Sequence, residues 1–132
     1  MCSGRIDEEC RMSGTGRRIL LVDDEQHFAD TLAARLEMRG FEVRAVYSGA
    51  EALAALALPV EVVVLDLRMP GMDGFAVLRE LKKSHPEISV IMLSGHLDDQ
   101  EERAAYEAGA HRVLRKPLRM EELLDSIRAG SE

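Results

Sequence analysis

Val60-Glu61-Val62-Val63-Val64-Leu65-Asp66 is the stretch that decides the fold. β-Branched residues dominate it and favour a pleated, extended backbone. Its apolar residues fall on both alternations, the pattern of a strand covered on both faces. It ends in an acid. Arg18-Ile19-Leu20-Leu21-Val22-Asp23-Asp24 has the same form, an apolar run closed by carboxylates. Residues 88–93 predict another such strand, reaching Ser94, and 113–115 a short one just before Lys116-Pro117. Residues 41–47 differ: Val43 and Ala45 alternate with Glu42 and Arg44, which predicts a more exposed strand.

Helical patterns lie between these runs. Over 26–39, Ala29, Leu32, Ala33 and Leu36 recur at helical spacing, and Gly40 is placed to stop the helix. Ser48-Gly49-Ala50-Glu51 is a capping box that opens an Ala/Leu helix running to about Leu58, before Pro59. Pro70-Gly71 and Asp73-Gly74 mark a turn-rich loop, with Asp73 set to cap a helix over 75–84 that turns Phe75, Leu78 and Leu81 inward. A polar helix over 98–108 ends at Gly109, and Met120, Leu123, Leu124 and Ile127 describe an amphipathic last helix. Five strands alternating with five helices imply an α/β fold. The sheet is parallel and covered on both faces, because parallel strands need crossover helices.

With 132 residues the chain is one domain's worth, enough to bury a core without staples. Aromatics are scarce at 4%, so that core is aliphatic. A formal net charge of -7 disfavours non-specific attraction to nucleic acid or an anionic membrane. No stretch is long and apolar enough to cross a bilayer. Cys2 and Cys10 make no disulfide framework, and with no signal segment the expected location is the cytoplasm. Residues 1–16 are Ser, Gly and charge without periodicity and are expected to form a flexible tail; 17–129 form the domain, and 130–132 its C-terminal end.

The polar residues at the strand ends carry the chemistry. Asp23 and Asp24 follow the first strand, Asp66 ends the third, Ser94 the fourth, and Lys116 follows the fifth. Parallel strands point these ends the same way, and open α/β sheets bind ligands outside their carboxyl ends. Singly, Asp24 and Ser94 read as helix caps and Lys116 as a solvated charge. Jointly they make a site. Three carboxylates at ~4 Å repel by about 4 kcal/mol per pair at an effective dielectric near 20. A divalent cation relieves that repulsion, and all-oxygen ligation from few carboxylates suits Mg²⁺. One carboxylate can then attack an activated phosphorus, with the Lys116 ammonium and the Ser94 hydroxyl on the phosphoryl oxygens.

These residues, in the strings Ile19-Leu20-Leu21-Val22-Asp23-Asp24-Glu25, Val64-Leu65-Asp66-Leu67-Arg68-Met69-Pro70-Gly71-Met72-Asp73-Gly74, Met92-Leu93-Ser94-Gly95 and Arg115-Lys116-Pro117, resemble the CheY-like receiver domain of two-component response regulators. The resemblance spans about residues 17–128. It implies a doubly wound, flavodoxin-like sheet of order 2-1-3-4-5. It also implies that Asp66 accepts a phosphoryl group from a sensor histidine kinase. Asp24 and Asp66 would ligate Mg²⁺ directly, Asp23 would assist, and the backbone carbonyl of Arg68 would complete the set. The Lys116-Pro117 bond would be cis. A partner protein or output domain would read the surface of the last two helices and fifth strand. The chain would be a switch that loses phosphate slowly by itself, not an enzyme. Two positions depart from the family pattern. Val113 stands where Tyr or Phe is usual, and Ser94 where Thr is commoner. Arg68 and His96 would flank the approach of hydrolytic water.

The chain also fits the regulatory domain of a DNA-binding transcription factor whose output domain is absent from it. It contains no helix-turn-helix pattern, so no direct contact with nucleic acid is expected. A small-molecule phosphatase of the haloacid-dehalogenase type would need a second Asp where Arg68 stands. His27, His85, His96 and His111 lack metal-ligand spacing and read as surface residues. Arg112, Arg115 and Arg119 form a solvated basic rim.

Overall fold

The computed structural model describes residues 17–67, 74–95 and 98–130. Its elements alternate strictly: β1 (Arg18–Val22), α1 (Gln26–Glu37), β2 (Glu42–Val46), α2 (Gly49–Ala55), β3 (Val62–Asp66), α3 (Gly74–Ser84), β4 (Ser89–Ser94), α4 (Asp99–Glu107), β5 (Arg112–Arg115) and α5 (Met120–Gly130). All strand pairs are parallel, in the order β2-β1-β3-β4-β5. The expected strand order is therefore the observed one.

Side-chain alternation divides the core. Leu20, Val22, Val63, Leu65, Val90 and Met92 point to one face and pack under α2, α3 and α4. Ile19, Leu21, Val62, Val64, Ile91 and Leu93 point to the other, under α1 and α5. Consecutive apolar residues in β1, β3 and β4 are thus needed for both layers. The edge strand β2 is the most exposed of the early strands, with Glu42 and Arg44 outward, as its alternation predicts.

Helix ends follow local chemistry. Gly40 adopts φ 94°, and Phe41 N–H bonds back to the Leu36 carbonyl at 3.3 Å, closing α1 two residues before the expected Arg39. The tight turn draws residues 38 and 39 out of the helix. Helix α2 also stops early, at Ala55. Leu56, Ala57 and Leu58 switch to bonds three residues back, and Pro59 disfavours helical backbone at Leu58. The Ser48 cap is real, its Oγ accepting from Glu51 N–H at 3.1 Å. The Glu51 side chain reaches one residue past the expected Ser48 N–H, and its Oε1 accepts from Tyr47 N–H at 2.8 Å. The expected Asp73 cap lies outside the described residues.

His111 corrects the surface reading of the histidines. It is half-buried at the start of β5, and its Nε2 is buried with no hydrogen-bond partner among the described residues. Burial, then the charges of Arg112 and Lys82, hold its pKa below the ordinary 6.5. A folded pKa below the unfolded one means the unfolded chain takes up the proton first. Stability from His111 is therefore present above pH 6.5 and lost as pH falls toward the lower folded value. Urea titrations between pH 7.5 and 5 are expected to show His111→Gln losing less stability than wild type. Parallel losses in both proteins would contradict this.

Candidate functional site

The register of the sheet gathers the predicted residues. Val22 pairs with Leu65, Asp66 with Leu93, and Ser94 with Arg115. Asp23, Asp66, Ser94 and Lys116 consequently line one edge in strand order. Asp23 (1% exposed), Asp66 (7%) and Ser94 (2%) are among the few buried polar residues described. Asp24 is exposed. One carboxylate oxygen from each of Asp23, Asp24 and Asp66 lies within 4.8 Å of the others. Such a set of oxygen donors fits a hard divalent cation.

Asp24 does not cap α1. The cap position is Glu25, and its side chain makes no capping bond. Instead Asp23 Oδ1 accepts from Glu25 N–H at 3.0 Å, which orients the buried carboxylate.

Lys116 enters from beyond β5. Its backbone N–H bonds the Ser94 carbonyl at 2.8 Å, and the Lys116-Pro117 peptide is cis. Its Nζ lies 3.1 Å from Asp23 Oδ2, 3.5 Å from Glu25 Oε1 and 3.8 Å from Asp66 Oδ1. Burial disfavours the charged form. The hydrogen bond to Asp23 and the charges of Asp66, Asp23 and Glu25 outweigh it, so the lysine is held above its usual 10.5 and stays cationic. An ammonium amid carboxylates is poised for an anionic oxygen built onto any one of them.

Two residues at this edge escaped the sequence reading. Glu25 and the Phe28 ring both touch the Lys116 ammonium, the ring centroid at 4.6 Å. Their sequence neighbourhood shows only a helix start, and the partner lies some ninety residues away. Arg68, with its expected carbonyl ligand, and His96 lie outside the described residues.

Val113 is half-buried against the α2–α3–α4 face. Its N–H, on the open edge of β5, donates to the Tyr106 hydroxyl at 3.2 Å. Tyr106, on α4, is exposed and reaches β5 through this bond. Arg112, Arg115 and Arg119 are exposed, and Arg115 sits 3.5 Å from Glu102.

Comparison with known proteins places these features in context. A family model described as the response regulator receiver domain matches residues 19–128. The C4-dicarboxylate transport transcriptional regulatory protein DctD of Rhizobium meliloti is 34% identical over 115 residues, covering 86% of this chain and 25% of that protein. The chain spans a quarter to a half of the length of the curated relatives it matches. A receiver domain protein from Clostridium thermocellum superposes with a TM-score of 0.83 at 34% identity, covering 87% of this chain and 94% of the other. A response regulator protein from Burkholderia pseudomallei, solved with a phosphorylated aspartic acid, calcium ion and citrate, gives 0.81 at 29%, covering 87% and 68%.

Proposed function

This chain belongs to the response regulator receiver domain family, and from that premise we propose that Asp66 is its phosphoacceptor, working with Mg²⁺ in two-component signalling. The observation that carries the reading is the Lys116 ammonium, 3.1 Å from Asp23 and 3.8 Å from Asp66 at the carboxyl edge of the sheet.

An Asp66 carboxylate oxygen attacks the phosphorus of a phosphohistidine on a sensor kinase, or of a small acyl phosphate. The new O–P bond forms as the bond from phosphorus to the donor nitrogen or oxygen breaks. The leaving group departs with that electron pair, and Asp66 becomes a mixed anhydride. Lys116 turns from Asp23 toward a phosphoryl oxygen, and the buried Ser94 hydroxyl donates to another. Asp23, Asp24 and Asp66 would hold the divalent cation, which supplies neutralising charge for the phosphoryl oxygens. The relative with a phosphorylated aspartic acid and a calcium ion supports this choice of chemistry. The chain's own catalysis is limited to taking up the group and slowly losing it, in the cytoplasm. The output is a change in the α4–β5–α5 surface read by a partner.

Incubation with acetyl phosphate and Mg²⁺ is expected to add one phosphoryl group, seen by intact mass. Excess chelator is expected to suppress it. Uptake that is indifferent to the chelator would contradict the carboxylate-bound cation.

The relatives named as transcriptional regulators favour a second reading of the output, in which this domain controls an attached DNA-binding domain. The length of the coding frame distinguishes an attached domain from a separate partner.

A further inference from the structure

Among the described residues, the Lys116 ammonium meets one uncharged group, an aromatic ring. Phe28, in the first turn of α1, sets its ring 4.6 Å from Nζ. The other neighbours are carboxylates: Asp23 at 3.1 Å, Glu25 at 3.5 Å and Asp66 at 3.8 Å. Each of these offers a lone pair and pulls the ammonium toward its own oxygen. A ring face attracts a cation through its quadrupole without fixing the direction of any N–H bond. The ammonium can thus turn from Asp23 and Glu25 toward a new oxygen on Asp66 while keeping the ring beneath it. The contact lies on a half-buried lysine, where ring–cation attraction is stronger than in open water.

We propose that Phe28 is a positioning residue for phosphoryl transfer: its ring holds the Lys116 ammonium at the mouth of the site while the carboxylates exchange it. The proposal rests on the reading of Asp66 as phosphoacceptor. Phe28 touches no reacting atom and acts through Lys116. An ordinary packing role would be served by any apolar side chain, since Phe28 also lines a groove of about 220 Å³ with Leu32, Leu118 and Met120. The positioning role needs a ring.

The test compares wild type, Phe28→Leu, Phe28→Met and Phe28→Tyr, each with Mg²⁺ and saturating acetyl phosphate, followed by intact mass over time. Both aliphatic variants are expected to be slower, by up to about thirtyfold, the full worth of a desolvated ring–cation contact. Without the ring the ammonium settles onto Asp23 and Glu25 and must be drawn off them before it reaches the phosphoryl oxygen. Phe28→Tyr is expected to rescue the rate. A second readout needs no phosphate: the Lys116 ε-methylene protons should be shifted upfield by the ring current in wild type and Phe28→Tyr. They should return to ordinary lysine positions in the aliphatic variants. If wild type takes no phosphate, the phosphoacceptor reading falls and the role of the ring falls with it. If wild type is phosphorylated and the aliphatic variants match its rate, only the ring's role is overturned. A slow Phe28→Tyr, or methylene shifts indifferent to the ring, also overturns it. Phe28→Met keeps the comparison open if Phe28→Leu does not fold.

Discussion

Asp66→Asn is expected to abolish phosphorylation by acetyl phosphate while leaving the fold intact. The amide has the same shape but no anionic oxygen to attack phosphorus. It also removes one carboxylate from the group of three within 4.8 Å. The loss is expected to exceed about a thousandfold, roughly 4 kcal/mol in the barrier at 1.36 kcal/mol per decade. Stability is expected to hold or rise, because a buried charge leaves a repulsive cluster. Lys116 keeps Asp23 and Glu25 as partners. Beryllofluoride, a stand-in for the phosphoryl group, should perturb amide shifts in wild type and not in the variant. Intact mass after equal incubation decides the matter. Equal phosphate on both proteins would remove Asp66 from the role, and a melted Asp66→Asn would show that the carboxylate is structural.

Gly74→Ala is expected to be strongly destabilising. A Cβ at position 74 would sit 2.6 Å from the Asp66 carbonyl oxygen, 2.6 Å from Leu67 Cα and 2.7 Å from the Leu67 carbonyl oxygen. All three are backbone, so no side chain can swing aside. The close approach is also the hydrogen bond that docks α3, Gly74 N–H to the Leu67 carbonyl at 2.6 Å. Relief requires parting α3 from the peptide that carries the acceptor. The cost is expected to be about 3 kcal/mol, the upper end of usual overpacking losses, or about 10 °C in Tm for a chain of this size. Gly95→Ala is the control, because among the described residues its Cβ would meet nothing nearer than Lys116 Cβ at 4.0 Å. Thermal melts of the two variants should differ by most of that amount. A Gly74→Ala protein that melts with wild type would mean that the α3 start yields easily.

The strand identities were legible from sequence because β1, β3 and β4 lie inside the sheet. Burial on both faces leaves unbroken apolar runs that few other structures would use. The edge strand β2 was equally legible, since one solvated side forces alternation. Boundaries were less so. Helix α1 closes at Glu37 and α2 at Ala55 because the last residues tighten into turns, which depends on Gly40 and on the restriction before Pro59. Periodicity counts the apolar positions of a helix but is blind to how its last carbonyls are satisfied.

The chain's order of residues by itself determined an acidic and hydroxylic edge: carboxylates, a hydroxyl and an ammonium each follow an apolar run, and parallel winding sends every such end to one side. It could not determine which neighbours the ammonium would meet there. Glu25 and Phe28 stand at an unremarked helix start, and only the closure of β5 onto β4 beside β3 and β1 carries Lys116 over them. Nor could it show that His111, polar by composition, hides its Nε2, or that Tyr106 supplies the open edge of β5 with the acceptor for Val113. Local pattern records which face of an element is apolar. Contacts between distant elements depend on distances through space, and those exist only once the sheet has fixed its strand order and register.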